Sequence, residues 1–167
     1  WMLYLARCQH LLRQGRVVAD VAYFCGQNAP VSNRPGNPPT PAGYYWDDIN
    51  ADLLMNHAEV VNGRIMLDSG ASYAVLALPP DDPPMTPELL GKIRDLVKDG
   101  ATVVGTRPSY SPSLNGYPDC DRQVQSLAAE RGADIDTKTV TQHVLGKGKV
   151  VSGKSLQDGL DELKVAP

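Results

Sequence analysis

The chain has 167 residues, 42% of them hydrophobic and 21% charged, which is the composition of one globular domain large enough to bury a core. Its 16 Lys and Arg against 19 Asp and Glu give a net charge of −3, and the scattered basic residues exclude the electrostatic footprint of a nucleic-acid binder. No apolar run approaches the ~20 residues of a membrane-spanning helix and no signal-peptide pattern opens the sequence, so we expect neither nucleic acid nor a membrane as a partner.

The first predicted element is a helix over residues 1–13, in which Leu5, Cys8 and Leu12 recur at helical spacing. The sequence starts with Trp1 instead of Met, inside this pattern. We therefore expect it to be a piece of a longer polypeptide.

Three cysteines, Cys8, Cys25 and Cys120, are odd in number, far apart and in no C-x-x-C pair. This pattern predicts neither a disulfide framework nor a zinc site, and we assign no metal ligand. We expect three small, buried thiols.

Residues 16–24, RVVADVAYF, are rich in β-branched and aromatic side chains and predict a first, largely buried strand. Prolines and glycines then exclude regular structure as far as residue 45, and a loop this long is usually functional, an interface or disordered. A short helix is predicted from Trp46 to Asn56, with Asp47 and Asp48 in its first turn, where carboxylates suit the positive end of the helix dipole.

The middle of the chain predicts a strand–helix–strand unit. Strand pieces lie on both sides of a turn at residues 68–70, and the second piece, residues 73–78, is apolar on both faces, as in a central strand of a parallel sheet. Thr86 is placed to cap the next helix, Gly100 to end it, and ATVVGT follows as a strand. Such a unit crosses over right-handed.

A further helix is predicted at residues 121–131, a short strand at KVVSG, and a last helix capped by Ser155 with Asp158. Together the elements predict an α/β fold with an open, mostly parallel sheet of about five strands and helices on both faces. Its nearest types are flavodoxin-like and class I glutamine amidotransferase-like.

One motif fits a phosphate loop: Gly148, four residues, then GKS at residues 153–155. Its context argues against nucleotide binding, because the two valines inside the motif favour a strand where a flexible cradle is needed. Too little chain follows to supply a strand with a magnesium-binding Asp.

The turn at residues 105–107 would hold the nucleophile of an amidotransferase, and it offers Thr106 instead of Cys or Ser. His10, His57 and His143 are isolated, and none is followed by a suitable acid. No nucleophilic triad is predicted, and we assign no catalytic residue.

The candidate substrate or interface residues are Tyr44, Tyr45, Trp46, Asp47 and Asp48. Aromatic rings beside paired carboxylates are typical of sugar sites, where rings stack on sugar faces and acids bind hydroxyls or deliver protons. The alternative is that the acids only stabilise a helix start and the aromatics anchor a loop. The polar and aromatic loop at residues 107–118 is equally able to line an interface.

Four segments of the chain carry a family resemblance: YLARCQHLLRQGRVVADVAYFCGQNAP, GYYWDDINADLL, NGRIMLDSGASYAVLALP and MTPELLGKIRDLVKDGATVVGTRPSYSPSL. Together they resemble glycoside hydrolase family 106, the α-L-rhamnosidases, in the region just after the catalytic barrel. The resemblance covers most of residues 4–131 and is specific in YLARCQHLLRQG and GYYWDDIN. The strand–helix–strand portion is shared with the trimerisation domain of family 42 β-galactosidases.

The resemblance implies a periplasmic or secreted bacterial enzyme that removes terminal α-L-rhamnose from plant-type polysaccharides or glycosides, by inversion and with calcium support. Its catalytic glutamates would belong to an upstream barrel, with residues 1–15 as the last barrel helix and residues 16–167 as an accessory domain, inactive alone. The implied partners are that barrel, a carbohydrate substrate and, as an open alternative, a second copy of the chain. No cofactor is expected in the segment itself.

Two other functions stay open. The chain could be a trimerisation-type domain of a β-galactosidase-like enzyme, or a free-standing flavodoxin-like domain that binds a small ligand at its strand ends.

Overall fold

The structure is a computed structural model that describes residues 1–27, 39–129 and 141–166. Within these residues the helices are α1 (Met2–Leu12), α2 (Ala51–Asn56), α3 (Pro87–Asp99), α4 (Asp119–Ala129) and α5 (Leu156–Glu162). The strands are β1 (Val21–Phe24), β2 (Trp46–Ile49), β3 (Ala58–Val61), β4 (Arg64–Leu67), β5 (Ser72–Tyr73), β6 (Val75–Ala77), β7 (Thr102–Val104), β8 (Thr141–Leu145) and β9 (Gly148–Ser152). None of the helices in these ranges has the length and apolarity needed to span a bilayer.

In the described part of the chain, six strands form the main sheet in the order β2-β1-β6-β7-β9-β8. All neighbours are parallel except β8, which runs antiparallel to β9. The predicted α/β class and mostly parallel sheet are confirmed. The strand count differs from the predicted five for two reasons. β2 lies where the sequence predicts a helix, and β8 is not among the predicted strands, whereas the strand piece predicted before residues 68–70 belongs to a second sheet.

A second, antiparallel sheet has the order β3-β4-β5. Asn62 and Gly63 form its first turn with φ values of 52° and 77°, the left-handed region that Asn and Gly adopt most readily. Tyr73 pairs with Ile65 in this sheet, and β6 starts two residues later in the other sheet. The single strand predicted over residues 73–78 is therefore divided between two sheets, although all six residues are buried.

The main sheet is covered on both faces. Leu76 and Val103 belong to the core on one face, where α3 and α4 pack. Val75 belongs to the core on the opposite face, together with Leu156 and Leu160 of α5. The alternation of neighbouring residues between two cores is what an apolar run in a covered strand predicts.

Helix α3 follows its sequence signals closely. The Thr86 side chain accepts a hydrogen bond from the Leu89 amide at 3.4 Å, and Pro87 occupies the first turn. Gly100 ends the helix with φ at 130°. The predicted stripe is buried in full: Leu89, Leu90, Ile93, Leu96 and Val97.

The helix predicted over residues 46–56 is wrong in its first part. Trp46 to Ile49 form β2, a parallel neighbour of β1 with Val21 opposite Trp46. The helix starts only after Asn50, whose side chain accepts from the Leu53 amide at 2.9 Å. The ladder with β1 and this N-cap together override the helical pattern.

The first strand is shorter than predicted. β1 covers only residues 21–24, and the prediction is wrong for residues 16–20, which lie before the strand. Val17 and Val18 are 64% and 77% exposed.

Towards the C-terminus, α4 starts at Asp119, and the end of the helix predicted to residue 131 lies outside the described residues. The predicted strand at KVVSG is confirmed as β9. Ser155 and Asp158 form the predicted capping box of α5. Cys8, Cys25 and Cys120 are all free, but only Cys120 is buried.

Candidate functional site

The five candidate residues lie on or just before the edge strand β2. The side chain of Tyr44 is buried, and its hydroxyl donates to the Val165 carbonyl oxygen at 2.8 Å. Trp46 packs its ring edge-on against Tyr23, with ring centroids 5.7 Å apart. Tyr45 is 72% exposed. Two of the three aromatic rings therefore support the fold, and one is available for contact.

Asp47 and Asp48 do not form a carboxylate pair. Asp47 lies opposite Ala22 and Asp48 opposite Tyr23, so the two side chains point to opposite faces of the sheet. Their predicted place in the first turn of a helix is wrong, because both belong to β2. Asp48 is exposed, whereas Asp47 is half-buried.

Asp47 is engaged by Tyr73, whose hydroxyl donates to its Oδ2 at 3.1 Å. Burial, then the negative charge of Asp47 and this hydrogen bond, raise the pKa of Tyr73 to about 12. The phenol therefore stays protonated and keeps donating at neutral pH. This contact ties the edge strand to the second sheet.

The predicted nucleophile turn is structural. The Thr106 hydroxyl donates to the Pro79 carbonyl oxygen at 3.0 Å, so it links the ends of β6 and β7. Within residues 1–27, 39–129 and 141–166, no three His, Cys, Asp or Glu side chains cluster as a metal site requires.

The sequence pattern suggests that His57 is isolated, but the structure places it beside an acid. Its Nδ1 lies 2.7 Å from Oδ2 of Asp68, and both side chains are exposed. The pair closes the open end of the hairpin, where Ala58 lies opposite Leu67. The Asn-Gly turn between two apolar runs was the signal for this contact, because it sets a register that brings residues 57 and 68 together.

The motif that fits a phosphate loop has no loop. Residues 148–152 are β9 itself, and Lys154 donates to Glu162. Lys149 donates to the same carboxylate at 2.7 Å. These two hydrogen bonds lower the pKa of Glu162 to about 2. The motif therefore holds α5 against β9, which agrees with the interpretation against nucleotide binding.

A cavity of about 650 Å³ lies at the carboxyl ends of β6, β7 and β9, where open α/β sheets bind small ligands. Its polar side chains are already bonded: Thr40 to the Tyr23 hydroxyl, Thr106 to the Pro79 carbonyl, and Lys154 to a carboxylate of α5. Most of what it presents is apolar, so it offers few directional contacts to a polar ligand.

Helix α1 exposes several large apolar side chains. None of the α1 residues is buried, although Leu5 and Cys8 are half-buried. The other large apolar side chains of α1 are between 61% and 83% exposed, and Trp1 just before the helix is 85% exposed. Trp1 and Tyr4 stack on each other with centroids 5.7 Å apart. We call this the α1 surface; its residues are Trp1, Met2, Leu3, Tyr4, Leu11 and Leu12.

Residues 1–167, the whole chain, match the family model described as alpha-L-rhamnosidase. The chain belongs to glycoside hydrolase family 106. A solved structure, a rhamnosidase from Novosphingobium sp. PP1Y, has a TM-score of 0.75 with this member at 32% identity, over 98% of the chain. A relative from Formosa agariphila, named "Putative beta-glucuronidase", is 43% identical over 128 residues, or 77% of the chain.

This family 106 chain spans 16% of the solved rhamnosidase chain and 11% of the Formosa agariphila relative. The family prediction from the four segments is confirmed. Both comparisons are with much longer proteins.

Proposed function

We propose that this segment is a non-catalytic scaffold and interface domain of a glycoside hydrolase that acts on terminal α-L-rhamnose. The α1 surface carries the proposal. Soluble proteins rarely leave contiguous apolar patches of more than a few hundred Å² in water, and larger ones mark interfaces. A helix whose large apolar side chains are this exposed has its packing partner elsewhere.

In this proposal residues 1–15 are the last helix of the catalytic barrel and residues 16–167 form the accessory domain. The barrel lies upstream and covers the α1 surface. The small ligand-binding alternative is less well supported, because the cavity at the strand ends presents mainly apolar atoms. The order of the main sheet supports a flavodoxin-like arrangement, because β2 lies on one side of β1 and the later strands β6, β7 and β9 lie on the other.

The chemistry belongs to the parent enzyme in this proposal. Inversion needs two carboxyl groups roughly 6.5–9.5 Å apart around the sugar and a water, and the adjacent pair here, Asp47 and Asp48, points to opposite faces. Calcium would act in the parent. The two similar proteins carry different activity names, rhamnosidase and "Putative beta-glucuronidase", which supports sugar selection outside this shared segment.

Tyr45 and Asp48 are the parts of the candidate cluster that are free to contact the barrel or the substrate. We expect Tyr45→Ala and Asp48→Asn in the full-length enzyme to alter KM for an aryl α-L-rhamnoside. Trp46→Phe is the matched control, because Trp46 packs on Tyr23 within the domain. Unchanged kinetics in both test variants would remove the cluster from the site.

The test of the proposed function compares the full-length enzyme with the 167-residue chain alone. We expect the full-length enzyme to release L-rhamnose from an aryl α-L-rhamnoside and the 167-residue chain to release none. Hydrolysis by the short chain at an enzyme-like rate would overturn the non-catalytic role. A full-length enzyme that cleaves only a different aryl glycoside would overturn the rhamnose assignment and leave the scaffold role intact.

A further inference from the structure

A second cavity, of about 440 Å³, lies at the amino ends of β7 and β9, on the face that α5 covers. Thr102, Lys149 and Val144 form a row across its floor, because they are register partners on three neighbouring strands. Arg64 at the start of β4 and Lys147 in the β8–β9 turn stand beside this row.

The first observation that points to a ligand in this cavity is the buried hydroxyl of Thr102. Thr102 is only 2% exposed, and among the described residues it is the one buried side chain that is neither apolar nor aromatic. No hydrogen-bond partner for its hydroxyl lies among those residues. Buried polar groups almost always have a partner, since leaving one unpaired costs about 1–3 kcal/mol. A ligand in the cavity would supply that partner.

The charged side chains that line the cavity are basic. Three basic side chains and no acidic one line it among the described residues: Arg64, Lys147 and Lys149. Lys149 is paired with Glu162, and the Nη2 atom of Arg64 with Asp20 at 3.4 Å. Lys147 makes no ion pair within the described ranges, so its charge is free to meet an anion.

Apart from Asn62, the rest of the lining consists of apolar side chains and glycines. Ala74, Val144, Leu163 and Val165 provide apolar contact area, and glycines leave the space open. A Cβ at Gly148 would lie 2.3 Å from two backbone carbonyl oxygens, so this position is closed to a larger residue. Cavities of this size hold small organic molecules, with a few polar groups fixing the orientation.

From these observations we propose that the cavity binds a carboxylate-bearing ligand of monosaccharide size, the class to which uronic acids belong. The carboxylate accepts hydrogen bonds from Lys147 and from the Thr102 hydroxyl, and charge-assisted bonds of this kind are the strong ones. The ring lies against Val144, Leu163 and Val165. This site is separate from the α1 surface, and the proposal does not depend on the scaffold role.

The test is calorimetric titration of the full-length protein with D-glucuronate, D-glucose and inorganic phosphate, at equal ionic strength and with saturating L-rhamnose. The rhamnose occupies the proposed catalytic site, so glucuronate binding at that site is not mistaken for binding in this cavity. Failure of the rhamnose assignment and failure of the cavity proposal can therefore be told apart. We expect glucuronate to bind and glucose to bind at least about tenfold more weakly, because it lacks the charge. Phosphate binding as tightly as glucuronate, or no binding of glucuronate, would overturn the assignment.

Two variants locate the binding. Lys147→Met keeps the side-chain stem and removes the charge, and Thr102→Val removes only the hydroxyl. Each is expected to weaken glucuronate binding at least about tenfold, while Lys92→Met on α3 leaves it unchanged. Thr102→Val should not lower the unfolding temperature without ligand, because the hydroxyl has no internal bond to lose. A lowered unfolding temperature, or unchanged affinity in both variants, would contradict the proposal.

Discussion

Helices α1 and α3 carry the same kind of apolar stripe and meet opposite environments. The α3 stripe is buried in full against the main sheet, from Leu89 to Val97. In the α1 stripe, Leu5 and Cys8 are only half-buried and Leu12 is exposed. The helical periodicity of apolar residues predicts that a helix will bury one face, but it does not predict which part of the protein covers that face. The difference between the two helices is the reason for seeking the partner of α1 in the rest of a longer protein.

Removing a buried side chain from α3 should have the largest effect. Ile93→Ala is expected to cost about 2–5 kcal/mol in the free energy of unfolding, because Ile93 is fully buried and leaves a cavity. Denaturant unfolding of the 167-residue chain and of the full-length protein measures this free energy. Equal losses in both are expected, since the partner of α3 lies within this chain. A loss confined to the full-length enzyme would break the comparison.

The same kind of truncation in α1 should depend on the length of the protein. Leu12→Ala is expected to cost less than about 0.5 kcal/mol in the 167-residue chain, where Leu12 is exposed. In the full-length protein it should cost about 2 kcal/mol if, as proposed, the rest of the protein buries the side chain. The measurement is again the free energy of unfolding. A negligible cost in both proteins would show that α1 has no partner.

Helix α5 gives the smallest and most selective effect, a dependence on pH. The pKa of Glu162 lies at about 2, below its usual 4.5, because Lys149 and Lys154 donate to the carboxylate. The contribution of the Glu162 carboxylate to the stability of the fold is therefore complete above about pH 4.5, and it is lost as the pH falls towards 2. Glu162→Gln should unfold at a lower temperature than the wild type at pH 6, and the difference should shrink towards pH 2. A constant difference across this range would mean that the carboxylate charge plays no part.

Much of the fold follows from local signals. The Thr86 cap, Gly100 and the apolar stripe define α3, and the Ser155 capping box defines the start of α5. These signals work because each acts within a few residues. The same rules misplaced residues 46–49, because a parallel ladder with β1 is a contact between distant segments that no local pattern encodes.

The candidate sites show the same limit. The aromatic and acidic cluster at residues 44–48 is visible in the sequence, but its strand geometry separates Asp47 from Asp48. The second cavity, at the amino ends of β7 and β9, cannot be predicted from the sequence. Its residues Thr102, Lys149 and Val144 become neighbours only through the register of three strands. Residue types indicate which chemistry a segment could support, but the strand register decides which side chains lie in the same site.

Hydrogen–deuterium exchange of the α1 amides tests the account most directly. In the 167-residue chain, α1 should exchange much faster than α3, because only α3 is packed on a core. In the full-length enzyme, α1 should become protected to an extent comparable with α3. Equally fast exchange of α1 in both proteins would contradict the proposal that this helix packs against the rest of the full-length protein.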